Sequence, residues 1–103
     1  MTAKKVPNGR FSQVLAVLPQ GMEKPVTVAE ISQITGLSVR DVYSILRSLL
    51  MDYDIPIGGT RDKYRHGVFV ATTEAERKAA IIPLANNANE IARRVEKLKE
   101  VAL

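Results

Sequence analysis

The chain contains no cysteine and a single histidine, His66. The first absence excludes disulfides and thiolate metal sites, and agrees with a reducing compartment; the second excludes a multi-histidine metal centre. Aromatic residues make up only 5% of the chain, so the aromatic sheet platform of a single-strand RNA binder is missing. No segment approaches the ~20 consecutive apolar residues of a membrane span. Lys4, Lys5 and Arg10 precede the apolar run Val14 to Leu18 and loosely imitate a secretory signal. That run is too short for the apolar part of a signal and no small-x-small cleavage site follows, so a cytoplasmic protein is expected. There is no Ser/His/acid set and no glycine-rich phosphate loop. The paired carboxylates Asp52/Asp54 and Glu74/Glu76 flank element ends, where the latter pair complements a helix dipole. No enzyme activity, cofactor or metal is expected.

The 103 residues suffice for one small domain around one core. Apolar residues at 46% and charged residues at 25% are ordinary for a globular chain. The formal charge of +4 and the isoelectric point near 9.6 lean toward an anionic partner.

Residues 1–9, with Lys4, Lys5, Pro7 and Gly9, read as a flexible basic arm. Phe11, Val14, Leu15 and Leu18 recur at helical spacing and predict a first helix over 10–18, stopped by Pro19 and Gly21. Pro25-Val26 is extended. Thr27 with Glu30 forms a capping box for a second helix from Val28 to Thr35, with Ile31 and Ile34 inward. Gly36 stands where that helix ends, at a position that tolerates a left-handed conformation. Ser38 with Asp41 forms a second capping box, and a third helix runs to Met51 with Val42, Ile45, Leu46, Leu49 and Leu50 as its inward face. Ile55-Pro56-Ile57 and Val68-Phe69-Val70 read as the strands of a hairpin, with Pro56 marking an edge. Gly58 and Gly59 open a long basic tip between them. Thr73 with Glu76 caps a last helix to about Val101, with a kink or short break expected at Pro83.

The fold class is therefore mainly α with a small β-hairpin and a long C-terminal helix. The order of helix, short strand, helix-turn-helix and hairpin over residues 10–71 resembles the winged helix-turn-helix DNA-binding family. The stretch "TVAEISQITGLSVRDVYSILRSL", followed by "IPIGG", carries the resemblance. Gly36 matches the family's turn glycine, and Ile31, Leu37, Val42 and Ile45 match its buried positions. Ser32 departs from the usual alanine and is free to bond back to its own helix. The closing region is also similar to small phage-borne DNA-binding proteins. The resemblance implies a sequence-specific protein for double-stranded DNA, either a small transcriptional regulator or a replication or recombination accessory. The family also holds domains that bind only proteins, so an adaptor for an acidic partner stays open.

The third helix would supply the reading face: Arg40, Tyr43, Ser44 and Arg47 lie at spacings of three and four, opposite Val42, Ile45 and Leu49. Arginine is the commonest reader of guanine in the major groove, and Ser38 at the helix start is suited to a phosphate. Asp41 opposes them with a negative charge. In the hairpin tip, Arg61, Lys63, Tyr64 and Arg65, beside His66, suit phosphates or a minor groove. After Pro83, Leu84, Ala88, Ile91, Val95, Leu98 and Ala102 alternate at four and three residues. This heptad seam either pairs with a second subunit, making residues 72–103 a dimerisation helix, or packs on the chain's own first helix.

Overall fold

The computed structural model describes residues 7–61 and 66–102. Four helices, α1 (Gly9–Val17), α2 (Val28–Thr35), α3 (Val39–Met51) and α4 (Glu74–Glu100), and two strands, β1 (Ile57–Arg61) and β2 (His66–Val70), follow in the order α1-α2-α3-β1-β2-α4. The chain is thus mainly helical, with one antiparallel hairpin and a long C-terminal helix. The Lys4-Lys5 part of the basic arm lies outside the described residues.

Each start of α2, α3 and α4 has a side-chain cap, but the three capping boxes differ. At α2 the box is complete: the Thr27 hydroxyl accepts the Glu30 N–H at 3.1 Å, and the Glu30 carboxylate accepts the Thr27 N–H at 3.1 Å. At α3 only the Ser38 half forms, accepting the Asp41 N–H at 3.1 Å, because the Asp41 carboxylate turns toward Arg10 of α1 at 3.9 Å. At α4 the Thr73 hydroxyl accepts the Glu76 N–H at 3.1 Å. The Glu76 carboxylate is engaged elsewhere: it accepts N–H groups from Met22 at 2.7 Å and Thr72 at 2.8 Å, and the Thr72 hydroxyl at 2.8 Å. It ties the start of α4 to the loop after α1.

Gly36 ends α2 in the left-handed region at φ 77°, where a side chain would be strained. Ser32 does not bond back into its own helix; its hydroxyl donates to the Leu37 carbonyl at 2.6 Å and closes the turn between α2 and α3. Val14 of α1, Leu18 at its C-terminal cap, Ile31 of α2 and Val42, Ile45, Leu46 and Leu49 of α3 are buried together with Phe69 and Val70 of β2. Leu37 packs on this core, while Phe11 lies against Tyr53 with ring centroids 5.6 Å apart. Two expected inward residues face solvent. Ile34 is 65% exposed, because the short α2 turns Ile31 and, less deeply, Val28 into the core and Ile34 away from it. Leu50 is also exposed, one residue past the buried stripe of α3.

The hairpin begins later than its apolar pattern implies. Asp54 turns the chain at φ 56° and the Ile55 N–H donates to the Leu49 carbonyl at 3.0 Å, so Ile55 and Pro56 finish the exit from α3. The register pairs Ile57 with Val70, Gly58 with Phe69 and Arg61 with His66. Gly58 and Gly59 are therefore strand residues and not a loop. A Cβ on Gly58 would lie 2.6 Å from the Ala80 Cβ and 2.9 Å from the Phe69 ring, so this glycine is what lets α4 press onto β1. The other edge of β2 holds the extended segment before α2: Val26 and Val68 exchange N–H···O bonds of 3.0 and 2.8 Å. Gly67 permits that approach, with φ 143° and a virtual Cβ 2.5 Å from the Val26 carbonyl oxygen.

α4 continues through Pro83 without a break. Proline removes one N–H from the ladder, but the helix is long enough on either side to carry that loss. The helix packs on β1 near Ala80 and then leaves the body of the protein; every residue from Ile81 to Ala102 is exposed. No helix among the described residues is long and apolar enough to cross a membrane.

Candidate functional site

α3 presents two opposed faces. Val42, Ile45, Leu46 and Leu49 are buried, and Arg40, Tyr43, Ser44 and Arg47 stand in solvent on the other side. The fold thus groups the four residues that helical spacing groups. Neither Arg40 nor Arg47 forms an ion pair with a described residue. Ser38, also exposed, is committed as the cap of α3, which orients its hydroxyl toward the helix start.

The negative charge near this face is offset from outside α3. Arg10, in the first turn of α1, brings its guanidinium to 3.9 Å from the Asp41 carboxylate, with both side chains about half exposed. Such a pair contributes little stability, about 0–1 kcal/mol. Its consequence is electrostatic: Asp41 is drawn toward α1, and a cation is added beside the start of α3. Sequence spacing could not reveal Arg10 as part of this surface, because the α1–α3 approach is a tertiary contact.

A second feature escaped the sequence reading. Ile34, Val39 and Tyr43 are all large apolar side chains exposed at the end of α2 and in the first turns of α3. Only Tyr43 belongs to the polar face singled out by spacing. The signal available was weak: Ile34 sits in a helix too short to show which side its period favours.

The hairpin leads away from this core to its last strand pair, Arg61 with His66, and His66 is exposed. Lys63, Tyr64 and Arg65 lie outside the described residues, and of Arg61 only the backbone is described. The tip's contribution therefore rests on its composition and on the strand pair that leads to it.

Along α4, Leu84, Ala88, Ile91, Val95 and Leu98 are exposed, Leu98 at 77%. α4 packs on β1, not on α1 as one reading of the seam had it, and Phe11 and Leu15 are engaged in the core of the globular part. Along α4, Glu74–Arg77, Glu90–Arg93 and Glu96–Lys99 pair at 3.1, 2.8 and 3.3 Å, each three residues apart. Among the described residues no cluster of three or more His, Asp or Glu side chains is placed to hold a metal ion. The chain matches no protein-family model, no curated protein and no solved structure.

Proposed function

We propose that the chain is a winged helix-turn-helix protein that binds double-stranded DNA sequence-specifically as a homodimer, acting as a small transcriptional regulator. The observation that carries this reading is the two-faced α3: one side is wholly core, the other offers Arg40, Tyr43, Ser44 and Arg47 to solvent. A helix rigidly held by its apolar side and bearing arginines on the other has the form required to enter a major groove. Arg40 and Arg47 read base edges; Ser38 and the free N–H groups beside it meet a phosphate. The hairpin tip, with Arg61, Lys63, Tyr64 and Arg65, follows the backbone and supplies affinity more than readout. The net charge of +4 favours the same partner.

Dimerisation through α4 rests on the uncovered seam of Leu84, Ala88, Ile91, Val95 and Leu98. Burying one such large side chain is worth roughly 1.5–3 kcal/mol, so several per copy favour association.

A second reading is favoured by Ile34, Val39 and Tyr43, whose exposed apolar surface adjoins the arginines and suits an acidic protein partner. Binding to random duplex DNA across a salt series separates the two. A DNA protein loses affinity with a log–log slope of about −0.9 per phosphate neutralised, and an adaptor binds duplex barely at all. On a selected site, Arg47→Ala and Arg40→Ala are each expected to cost about 1–3 kcal/mol and to relax preference at one base position. Full affinity and specificity in both variants would overturn the proposed docking.

A further inference from the structure

The seam of α4 does not begin at Leu84. Counting back by three and four reaches Ile81 and Arg77, and these residues, with Leu84 and Ala80, form one wall of a groove of about 350 Å³. Leu50 near the end of α3, Asp54, Ile55 and Pro56 of the connection that follows, and Ile57, the first residue of β1, form its other wall. The N-terminal end of the seam thus runs into an open, largely apolar groove at the base of the helix. Its C-terminal end carries Leu98, the most exposed large apolar side chain of the described residues, and Val101, which lies one position off the seam on the same flank as Ala80.

Resting on the dimer reading above, we infer that two copies pair their α4 helices antiparallel, so that Leu98 and Val101 of each seat in the groove at the base of the other. An antiparallel seam pairs each position of one kind with the other kind, and here the layers between Ile81 and Leu98 are all apolar, while the end layers set Ala102 beside Arg77 of the partner subunit. Leu98 meets Ile81 of the partner subunit, Val95 meets Leu84, and Ile91 meets Ala88, with the two-fold axis between Asn89 and Glu90. The same geometry sets like flanks together, which brings Val101 against Ala80 of the partner subunit on the groove side. Val101 off the seam then has a purpose: an apolar residue on that flank is wanted where the flank enters the groove.

A parallel pair uses the same seam but sets the two grooves side by side, each facing its own image, and leaves both without an occupant. Charge separates the arrangements little. The parallel pair faces Arg94 with Lys99 of the partner subunit in the distal half of the seam. The antiparallel pair moves Arg94 opposite an asparagine, Asn87, and leaves Lys99 level with Lys78, with Glu96 3.3 Å from the Lys99 ammonium. The groove decides. The antiparallel arrangement also sets the two globular units apart, with their docking points at Ala80 about 28 Å from each other along the helix pair, from a rise of 1.5 Å per residue. That is near the ~34 Å between half-sites one DNA turn apart.

The absence of native cysteine allows a direct test on the full chain. Glu100→Cys, on the outward side of α4, carries one spin label per copy, and sedimentation at micromolar concentration accompanies the distance measurement. The expected result is a dimer with labels more than about 30 Å apart, from twice the distance between residue 100 and the two-fold axis. A dimer with labels about 20 Å apart or less, set by two neighbouring helices, overturns the antiparallel pairing while leaving the dimer standing. A monomer removes the dimer reading and this inference with it. DNA affinity of the labelled protein reports separately on α3, which the label does not touch.

Discussion

α3 and α4 carry the same kind of apolar periodicity and meet opposite fates. On α3, Val42, Ile45, Leu46 and Leu49 are all buried by the chain's own α1, α2 and hairpin. On α4, Leu84, Ile91, Val95 and Leu98 are all exposed, although their spacing is as regular. The difference is one of neighbours. α3 is flanked on both sides by short connections that fold other elements back onto it, whereas α4 follows the last strand and is held only at its base, where Gly58 admits Ala80. Periodicity states that a face requires cover; it does not state what provides the cover.

The largest expected effect sets the two helices directly against each other. Leu49→Ala should destabilise the globular part by about 2–5 kcal/mol, since it empties a fully buried site. The pair Ile91→Asp and Leu98→Asp should leave that stability almost unchanged and instead abolish the proposed pairing of two copies. Denaturant unfolding with sedimentation reads both quantities. If the double variant unfolded the domain, α4 would belong to the core and the contrast would be lost.

A smaller effect probes how the globular part closes around its sheet. Gly67→Ala forces a side chain into φ 143° and sets its Cβ against the Val26 carbonyl. Strain of this kind costs about 1–3 kcal/mol. The measurable outcome is a lowered midpoint of denaturation together with faster amide exchange at Val26 and Val68, whose mutual bonds hold this edge. Exchange at those amides as slow as in the parent protein would show that the edge does not depend on this glycine.

The smallest effect lies at the joint between the two regions. Glu76 is held below the ordinary carboxyl value of 4.5, first by the Thr72 N–H, then by the Met22 N–H and the Thr72 hydroxyl. A depressed native value means that the tie stabilises the fold above the unfolded value and fades as pH falls through the native one. Glu76→Gln should therefore lower the melting temperature slightly at neutral pH and flatten its decline below about pH 4.5, the sign required by proton linkage. The group is exposed to solvent screening, so the effect is small. An acid limb identical in both proteins would assign the decline to other carboxylates, Glu30 first, whose value is also lowered by its bonds to Thr27.

Much of the helical part is legible in the amino-acid sequence. The bounds of α2 and α3 follow from Thr27, Gly36 and Ser38, because caps and left-handed turns are local requirements that a few adjacent residues satisfy. The strands were less legible. The apolar triplet Ile55-Pro56-Ile57 invited a strand two residues too early, and Gly58-Gly59 resembled a loop, because the reason for a glycine there is the helix packed above it. The candidate face of α3 was legible through its period, but Arg10 and the exposed Ile34 were not, since both depend on which helix lies beside which.

The amino-acid sequence by itself determined where α2 and α3 start and stop, which face of α3 is apolar, and that α4 carries a seam, because caps and helical spacings are set by residues within about one or two turns of each other. Only the tertiary structure decided that Glu76 ties the start of α4 to the loop after α1, that β2 is flanked on both edges, and that the seam emerges uncovered beside a groove at its base. Those outcomes join residues tens of positions apart, and the free energy of such contacts depends on the packing of the whole chain, which no local spacing encodes.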